Sequence, residues 1–499
     1  MAMDFSSELS DTLWDVVICG TGLPQSLLAL SLSRSGKNIL HIDSNDYYGS
    51  ADAAFSLQEA DDWVARHSTT AASSTSVFKS ASITKPENVA GLSFPRAYTL
   101  ALAPQLIHAR SELLSQLVSS RAYRQVEFLA VGSFFVFKPS SSPALAPTLV
   151  RIPSTREDVF STTAISAKAK RGLMKFLRFV VDYNNPLQTE AWQQHADVPL
   201  VDFLRAHFKM DAELQTYIIT LTLSLDGRIS TRDGLATIHR HLSSMGMLGP
   251  SFAAVYPKWG GISEIAQVSC RAGAVGGAVY MLGNGIKEMT TGENEISLEL
   301  TSGDKVRTRR LVRGEETGGD EKAIARLVAI VNSPLKTLFE TMVEGAPKPG
   351  VAVVAFPTGS LASAGEIDID CPIYVFAHSG DTGECPVGQS VLYLTMLSSP
   401  DSKNILHRAL ESLLIALDGE QQRPESLYHL YYEQAGSSMK RQQDGLIFGF
   451  PPPSLSLSFD DATLGPVREA WKVVMGEAGA DYMTFPDREG YVDDDEMYD

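Results

Sequence analysis

The fold is decided by the stretch Asp15-Val-Val-Ile-Cys-Gly-Thr-Gly-Leu-Pro-Gln-Ser26. Val16 to Cys19 is a short apolar run that ends at a glycine, which is typical of a buried parallel strand. The leucines of Leu27–Ser35 have helical spacing, and Gly36 ends the predicted helix. A second apolar run, Asn38–Ile42, follows and leads into Asp43. This order of strand, glycine turn, helix and strand predicts a dinucleotide-binding unit of the Rossmann type.

The glycine turn departs from the dinucleotide pattern at one position. In G-x-G-x-x-G the glycines make the turn, admit the pyrophosphate and let the helix pack on the strand. Gly20 and Gly22 hold the first two positions, but Gln25 holds the third, and Asp43 matches the acid that binds the ribose. We expect Gln25 either to displace the helix or to fill the pyrophosphate space. The motif alone leaves two interpretations open: a bound flavin or nicotinamide, or a fold kept without its cofactor.

The composition narrows the class of protein. The chain has 499 residues, of which 44% are hydrophobic and 20% charged, and its net charge is -17. Such an acidic surface repels phosphate backbones, so we expect no nucleic-acid partner. The four cysteines lack C-x-x-C spacing, and no eighteen-residue apolar run or signal-peptide pattern occurs. We therefore expect a soluble cytoplasmic protein without disulfides.

No catalytic constellation stands out in the sequence. It contains no G-x-S-x-G elbow and no P-loop. His239 and His241 are two residues apart on a predicted helix, so their side chains diverge and a metal site is disfavoured. The acidic run at 493–496 is typical of a solvated tail. We expect neither a metal site nor catalytic residues.

The hydrophobic patterns predict an α/β fold of the Rossmann type with an inserted all-helical domain. We divide the chain into an α/β part at 1–155, a helical domain at 156–245, a second α/β part at 246–485 and an acidic disordered tail at 486–499. The predicted helices are 100–118, 158–171, 172–183, 199–208, 211–225, one after 231, and 466–477. The later predicted strands are 126–136, 278–282, 296–300, 327–331, 351–356, 373–376 and 390–396. The remaining predicted features are a helix start with a capping-box pattern at 154–157, a flexible Ser/Thr-rich insertion at 66–90 and a solvated loop at 301–322.

Several blocks of sequence together resemble the superfamily of Rab escort proteins and Rab GDP-dissociation inhibitors. The blocks are Gly20–Ser26, Ser33–Lys37, Leu40–Ser44, Tyr47–Gly49, Phe94–Tyr98, Ser119–Phe128, Ile152–Glu157, Pro257–Glu264 with Arg271, and Gly276–Leu282. The sequences Leu-Pro-x-Ser after Gly22 and Ser-Arg-Ser-Gly at 33–36 resemble those of escort proteins more than those of GDP-dissociation inhibitors. A Rab GDP-dissociation inhibitor is therefore the alternative within the family. A flavin-dependent oxidoreductase of the amine-oxidase type is the alternative from another class.

The resemblance implies a flavoprotein scaffold that has no cofactor and does no covalent chemistry. Escort proteins bind GDP-bound Rab GTPases and present them to the Rab geranylgeranyltransferase heterodimer. They then carry the geranylgeranyl lipid of the modified Rab and contact membranes transiently. The helical domain is expected to hold the lipid and to dock the transferase.

The resemblance also assigns residue roles. Tyr48 matches a platform tyrosine, Glu264 and Arg271 match an acid and a base that contact the Rab switch regions, and Met281 matches a platform methionine. From the residues alone, Glu264 and Arg271 could equally be a simple i, i+7 pair on one helix face. Without a cofactor, Asp43 is expected to hydrogen-bond the Tyr47–Gly49 turn.

Three departures and one open assignment remain. Gly276 stands where relatives place an aromatic residue, Ala278 replaces a glycine, and one extra residue lies between Pro257 and Glu264. The lipid-binding residues stay unassigned. Candidates on neighbouring predicted helices are Phe176, Leu177, Phe179, Val180, Tyr217, Ile218, Leu221 and Leu225.

Overall fold

The computed structural model describes residues 9–68, 76–86, 91–140, 142, 145–153, 159, 166–314, 322–361, 370–418, 423–436, 443–476 and 482–485. The predicted helix start at 154–157, most of the serine-rich middle of the 66–90 insertion and the acidic tail at 486–499 lie outside these residues. In the described part of the chain, no helix is long and apolar enough to cross a membrane.

A six-stranded sheet is built around the first predicted strand. In spatial order its strands are β11 (Val279–Leu282), β3 (Ile39–Asp43), β2 (Val16–Cys19), β15 (Leu311–Gly314), β22 (Ile447–Phe450) and β21 (Gln443–Asp444). Only the β21–β22 pair is antiparallel. Val16, Val17 and Ile18 are fully buried, as a strand covered on both faces requires. The predicted FAD-binding-like α/β fold is confirmed.

Three helices cover one face of this sheet: α1 (Leu23–Leu32), α9 (Ile262–Val275) and α11 (Leu464–Met475). The first helix begins four residues before the predicted start, because Pro24 fits a first helical turn, where no amide donor is needed. Nine of its ten residues are buried. A helix that is apolar on nearly all sides belongs in a core.

The other face of the six-stranded sheet packs on a four-stranded sheet. Its strands, in spatial order, are β1 (Leu13–Trp14), β14 (Lys305–Thr308), β13 (Ile296–Leu300) and β12 (Ile286–Thr291). A two-stranded sheet joins β4 (Ala54–Phe55) to β6 (Leu100–Ala101), next to α2 (Leu57–His67) and before α3 (Glu112–Ser119).

A large, mainly antiparallel sheet forms the second layer of the molecule. Its spatial order is β5 (Phe78–Thr84), β20 (Ser426–Ala435), β16 (Ala323–Val331), β19 (Ser390–Leu397), β18 (Ile373–Ser379), β17 (Val351–Phe356), β8 (Phe128–Lys138), β10 (Ala254–Pro257) and β7 (Ile107–His108), with β9 (Thr148–Arg151) paired to β8. Alternate residues of β16 enter two different cores. One face of the sheet packs toward the helices between residues 167 and 244, and the other face is covered by α10 (Ser402–Ala416).

Between β9 and β10, the described residues form five helices. They are α4 (Ala167–Val181), α5 (Pro186–Gln193), α6 (Leu200–Phe208), α7 (Ala212–Thr222) and α8 (Thr231–Ser244). The predicted break between residues 171 and 172 is wrong, because one helix runs through it. The short α5 was not predicted; its start is marked by the Asn185 cap followed by Pro186. We refer to α4–α8 as the helical unit.

Three other predictions at the level of elements are wrong. Within the supposed flexible insertion at 66–90, Phe78–Thr84 is an edge strand paired with β20. Within the supposed loop at 301–322, residues 305–308 and 311–314 are strands, and Leu311 is fully buried. The periodic stretch 100–118 is helical only from Glu112, where the Ser111 side chain caps the helix.

Candidate functional site

The Gln25 side chain fills the space above the glycine turn. A methyl group added at Gly20, Gly22 or Gly314 would lie 3.5, 3.2 or 3.6 Å from the Gln25 amide. Gln25 is itself 9% exposed. Of the two outcomes expected for this residue, the structure adopts the second: the side chain occupies the place where a pyrophosphate would approach.

A second side chain, Asp52, occupies the anion position at the start of α1. Its Oδ2 accepts a hydrogen bond from the Leu23 amide at 3.3 Å, where a nucleotide phosphate would bind. Burial raises the pKa of Asp52 to about 6, while the Leu23 amide and the Arg326 guanidinium oppose that rise. No sequence motif marks this role of Asp52, because Asp52 is far from the glycine turn along the chain.

Gln25 and Asp52 make the glycine turn unsuitable for binding a dinucleotide. A carboxylate at the helix N-terminus would repel a diphosphate, and the Gln25 amide covers the glycines that should admit it. The cavity left beside the turn has a volume of about 310 Å³, which is at the low end for ligand pockets. We derive no chemistry through a flavin or a nicotinamide.

Asp43 is the centre of a hydrogen-bond network that holds the turn after β3. Its Oδ2 accepts from the Thr21 amide at 2.7 Å, the Thr21 hydroxyl at 2.6 Å and the Ser50 hydroxyl at 2.9 Å. Its Oδ1 accepts from the Asn45 amide at 2.8 Å and from the Asn45 side chain at 3.0 Å. The expected direct bond to Tyr47–Gly49 is wrong in detail. Asp43 instead binds the residues on both sides of that turn, and Thr21 relays a bond to the Gly49 amide at 3.0 Å.

The two tyrosines of this turn point to different surroundings. The Tyr48 ring lies 6.3 Å from the ring of Tyr280 and is half-buried. The Tyr47 ring packs edge-on against Phe55 at 4.8 Å. The two side chains therefore point in different directions, Tyr47 toward Phe55 and Tyr48 toward Tyr280.

The predicted acid and base both lie on helix α9, which approaches Tyr48 through Cys270. Cys270 of α9 contacts the α1 residue Ser26 at 3.2 Å and contributes to the raised pKa of Tyr48, which is caused mainly by burial. Arg271 is the next residue and is exposed. Glu264 lies about two turns earlier on the same helix and is half-buried.

The Arg271 guanidinium acts on the Glu264 carboxyl without forming an ion pair with it. Burial raises the pKa of Glu264, and the Arg271 guanidinium partly reverses that shift. No ion pair between them is among those formed by the described residues. Both side chains therefore keep capacity for contacts with a partner.

Met281 packs on the opposite face of the sheet from Tyr280, whose ring lies near that of Tyr48. On β11, the edge strand of the six-stranded sheet, Met281 pairs with Ile42 of β3. Its side chain packs with the core between this sheet and the four-stranded sheet. Its neighbour Tyr280 packs on the opposite face, toward α1 and α9. Met281 is half-buried at the sheet edge.

The departure at Gly276 has a steric cause. A methyl group at this position would lie 1.8 Å from the Ser33 carbonyl oxygen. The C-terminal end of α9 thus packs directly on the backbone that follows α1, and an aromatic residue does not fit there.

The helical unit contains an apolar cavity of about 200 Å³ against β8. Four of the eight lipid-binding candidates line it: Leu177, Tyr217, Ile218 and Leu221. Phe176 and Val180 are instead fully buried core residues.

The outer surface of the helical unit carries a basic groove of about 930 Å³. We call this the α4 groove, and its main lining residues are Lys170, Arg171, Lys175, Arg178, Phe179, Phe203 and Phe208. The Lys175 ammonium lies 5.7 Å from the centre of the Phe208 ring. Four cations within nine residues are conspicuous on a chain with a net charge of -17. Sequence reasoning missed this groove, because its aromatic floor comes from two helices.

No group of three or more potential metal-binding side chains occurs among the residues that the structure describes.

Comparisons with known proteins agree on one family. A family model described as GDP dissociation inhibitor matches residues 10–342. Rab proteins geranylgeranyltransferase component A of Saccharomyces cerevisiae is 30% identical over 413 residues, which are 81% of this chain and 65% of that protein. The chain spans 65%, 58% and 64% of the length of three such curated relatives.

Two solved structures share the fold. A Rab GDI from Plasmodium falciparum has a TM-score of 0.65 at 18% identity, with 93% of this chain and 98% of that chain covered. An oxidoreductase from Methanosarcina mazei has a TM-score of 0.57 at 12% identity, with 91% and 99% covered.

Proposed function

Because the chain belongs to the GDP dissociation inhibitor family, we propose that it is a Rab escort protein. It binds GDP-bound Rab GTPases, presents them to a Rab geranylgeranyltransferase and delivers the lipidated product to membranes. One observation carries the proposal: Gln25 and Asp52 close the dinucleotide turn, while the adjoining surface keeps Tyr48, Glu264 and Arg271 available to a partner. The scaffold acts as a binding surface and does no covalent chemistry itself.

The Rab interface in this proposal lies around α9 and the turn after β3. Tyr48 supplies an aromatic anchor, and Glu264 and Arg271 supply charges of both signs, a combination suited to specific contacts. Met281, on the edge strand β11, extends the interface if the partner wraps over that edge. GDP selectivity follows when the switch loops fit only in their relaxed form, because the γ-phosphate of GTP orders them.

The direct test is binding of purified Rab loaded with GDP or with a non-hydrolysable GTP analogue. We expect saturable binding of the GDP form and much weaker binding of the GTP form. Equal affinity for both forms would contradict the proposed recognition of relaxed switch loops.

The lipid site in this proposal is the apolar cavity of the helical unit. Burial of a hydrocarbon chain is worth about 0.8 kcal/mol per methylene, so a prenyl group needs an apolar compartment. The cavity, about 200 Å³, is smaller than typical ligand pockets of about 300–1,000 Å³. It must therefore widen when the lipid enters.

Filling the cavity tests this assignment. Leu221→Trp should weaken binding of geranylgeranylated Rab and leave binding of unmodified Rab unchanged. Leu225→Trp is the matched control, since Leu225 lines a separate cleft. Equal effects of the two variants on the lipidated Rab would argue against the cavity.

The transferase surface in this proposal is the α4 groove. Its basic rim and aromatic floor suit an acidic partner surface with apolar side chains. The double variant Lys175→Glu, Arg178→Glu should abolish capture of the transferase without affecting Rab binding. Arg205→Glu is the control, because Arg205 is an exposed cation of α6 that pairs with Asp202 at 3.0 Å.

Two other functions predict different results. A Rab GDP-dissociation inhibitor would extract Rab from membranes but would not support geranylgeranyl transfer. An oxidoreductase of the amine-oxidase type would release stoichiometric flavin when denatured. The closed glycine turn favours the escort protein and the GDP-dissociation inhibitor over the oxidoreductase.

A further inference from the structure

A buried carboxylate far along the chain from α9 contacts the segment from which that helix begins. Glu384 is fully buried and lies in the loop between β18 and β19. Its Oε1 accepts from the Tyr256 hydroxyl at 2.8 Å, and its Oε2 accepts from the Tyr393 hydroxyl at 2.8 Å. The Nδ1 atom of His378 lies 2.7 Å from Oε2. A buried carboxylate needs such partners, and removing one of them is costly.

Of these three partners, Tyr256 stands next to the start of α9. Its hydroxyl would lie 2.6 Å from a methyl group at Gly261, the residue that caps α9. Gly261 has φ +66° and ψ -128°, a conformation essentially restricted to glycine. The Tyr256 hydroxyl thus limits where the Gly261 backbone can lie, and Glu384 fixes that hydroxyl.

The loop of Glu384 holds the same turn through a second set of contacts. The Thr382 carbonyl accepts from the Trp259 amide at 2.9 Å. The Trp259 indole lies so close to Gly383 that a methyl group there would be 2.4 Å from the ring. Trp259 itself has φ +58°, which is an outlier for a bulky side chain. A strained turn of this kind persists only when its surroundings hold it in place.

We propose that Glu384 is a positioning residue for the partner-binding helix. Through Tyr256 it sets the turn Trp259–Gly261, and the turn sets the position of Glu264, whose amide donates to the Gly261 carbonyl at 3.0 Å. The role in Rab binding rests on the function proposed above. It adds a residue about 120 positions beyond Glu264 that touches no partner and still controls affinity.

Two tyrosines provide a matched pair of variants. Tyr256→Phe and Tyr393→Phe each remove one hydroxyl from Glu384, and both rings are buried. The Tyr393 hydroxyl, however, also accepts from the Ala101 amide at 3.1 Å, on the side of β6 rather than of α9. A merely structural role of Glu384 would make both variants less stable and leave Rab affinity unchanged in both.

The experiment combines titration with GDP-loaded Rab, thermal unfolding and amide hydrogen exchange of residues 258–264 in the full chain. Tyr256→Phe should weaken Rab binding at least fivefold and speed exchange in that segment. Tyr393→Phe should change the affinity less than twofold, with a comparable loss of thermal stability.

Equal Rab affinities of the two tyrosine variants, or unchanged exchange at 258–264 in Tyr256→Phe, would overturn the proposal. Failure of the wild-type protein to bind GDP-loaded Rab would instead overturn the proposed function. The exchange measurement alone would then decide whether Glu384 holds the start of α9.

Discussion

Replacing Asp43 by Asn tests whether this residue now serves the turn that carries Tyr48. The carboxylate accepts five hydrogen bonds from Thr21, Asn45 and Ser50. An asparagine can keep one oxygen toward the three donors near Thr21. Its amide group must then face the two donors of Asn45, and those bonds are lost.

The magnitude follows from this count. Hydrogen bonds to a charged acceptor contribute roughly 1.5–3 kcal/mol each and neutral ones roughly 0.5–1.5 kcal/mol, and the contributions are not additive. The two lost bonds alone correspond to roughly 3–6 kcal/mol, and the three weakened bonds add to this, so even with strong non-additivity we expect a destabilisation of at least about 3 kcal/mol. Since Asn45 and Ser50 flank the Tyr48 turn, we also expect a several-fold loss of affinity for GDP-loaded Rab.

Urea unfolding and Rab titration measure the two effects. Asp46→Asn is the control, because Asp46 lies in the same turn but is exposed and pairs only with Arg66 at 3.1 Å among the contacts shown by the structure. Its expected effect on stability is below about 0.5 kcal/mol. An Asp43→Asn protein with wild-type stability and Rab affinity would show that Asp43 does not hold the turn that carries Tyr48. One equivalent of flavin released from the denatured wild type would refute the premise that the ribose-binding role is gone.

Four further variants test the site. Arg271→Ala should weaken binding of GDP-loaded Rab by roughly 1.5–3 kcal/mol with unchanged thermal unfolding, and calorimetric titration showing full affinity would remove it from the interface. Tyr48→Ala should cost more than about 1 kcal/mol of Rab binding. Tyr47→Ala should mainly lower the free energy of unfolding, because the Tyr47 ring packs on Phe55. Loss of Rab binding in Tyr47→Ala but not in Tyr48→Ala would mean that Tyr47 is the interface residue. For Asp52, burial raises the pKa in the folded state to about 6. Ionisation of Asp52 therefore opposes folding, and the wild-type protein should lose stability as the pH rises from about 4 to about 6. This loss should be smaller in Asp52→Asn, as unfolding measured at several pH values would show.

Much of the α/β architecture follows from local patterns. The run Val16–Cys19 between a polar residue and a glycine predicts its strand correctly, and Asp43 lies at the end of its strand as expected. Such segments carry their own signal, because burial on both faces requires continuous apolar residues. The long helices of the helical unit are also visible in the sequence, although their ends are not.

The errors arise where long-range pairing overrides local sequence. Leu311 and Val312 are two apolar residues in a charged segment, yet they form a central strand because β2 and β22 pair on either side. The strand Phe78–Thr84 exists because β20 offers an edge. No sequence pattern could have predicted either pairing.

The candidate site divides in the same way. The glycine turn and the acid after β3 are motifs with fixed spacing, so sequence could locate them. Asp52 and Glu384 act through contacts with residues distant in the chain, and nothing near them in the sequence marks those contacts. Met281 was grouped with Tyr48 by resemblance, whereas strand alternation places its side chain on the opposite face from Tyr280.

The most direct test of the escort function is geranylgeranyl transfer to a purified GDP-loaded Rab by the transferase heterodimer, measured with and without this chain. For an escort protein, we expect transfer to depend on the added chain and to saturate with it. We also expect Arg271→Ala to shift this dependence to higher concentrations of the chain. Transfer that proceeds equally well without the chain, or fails in its presence although GDP-loaded Rab binds, would contradict an escort function.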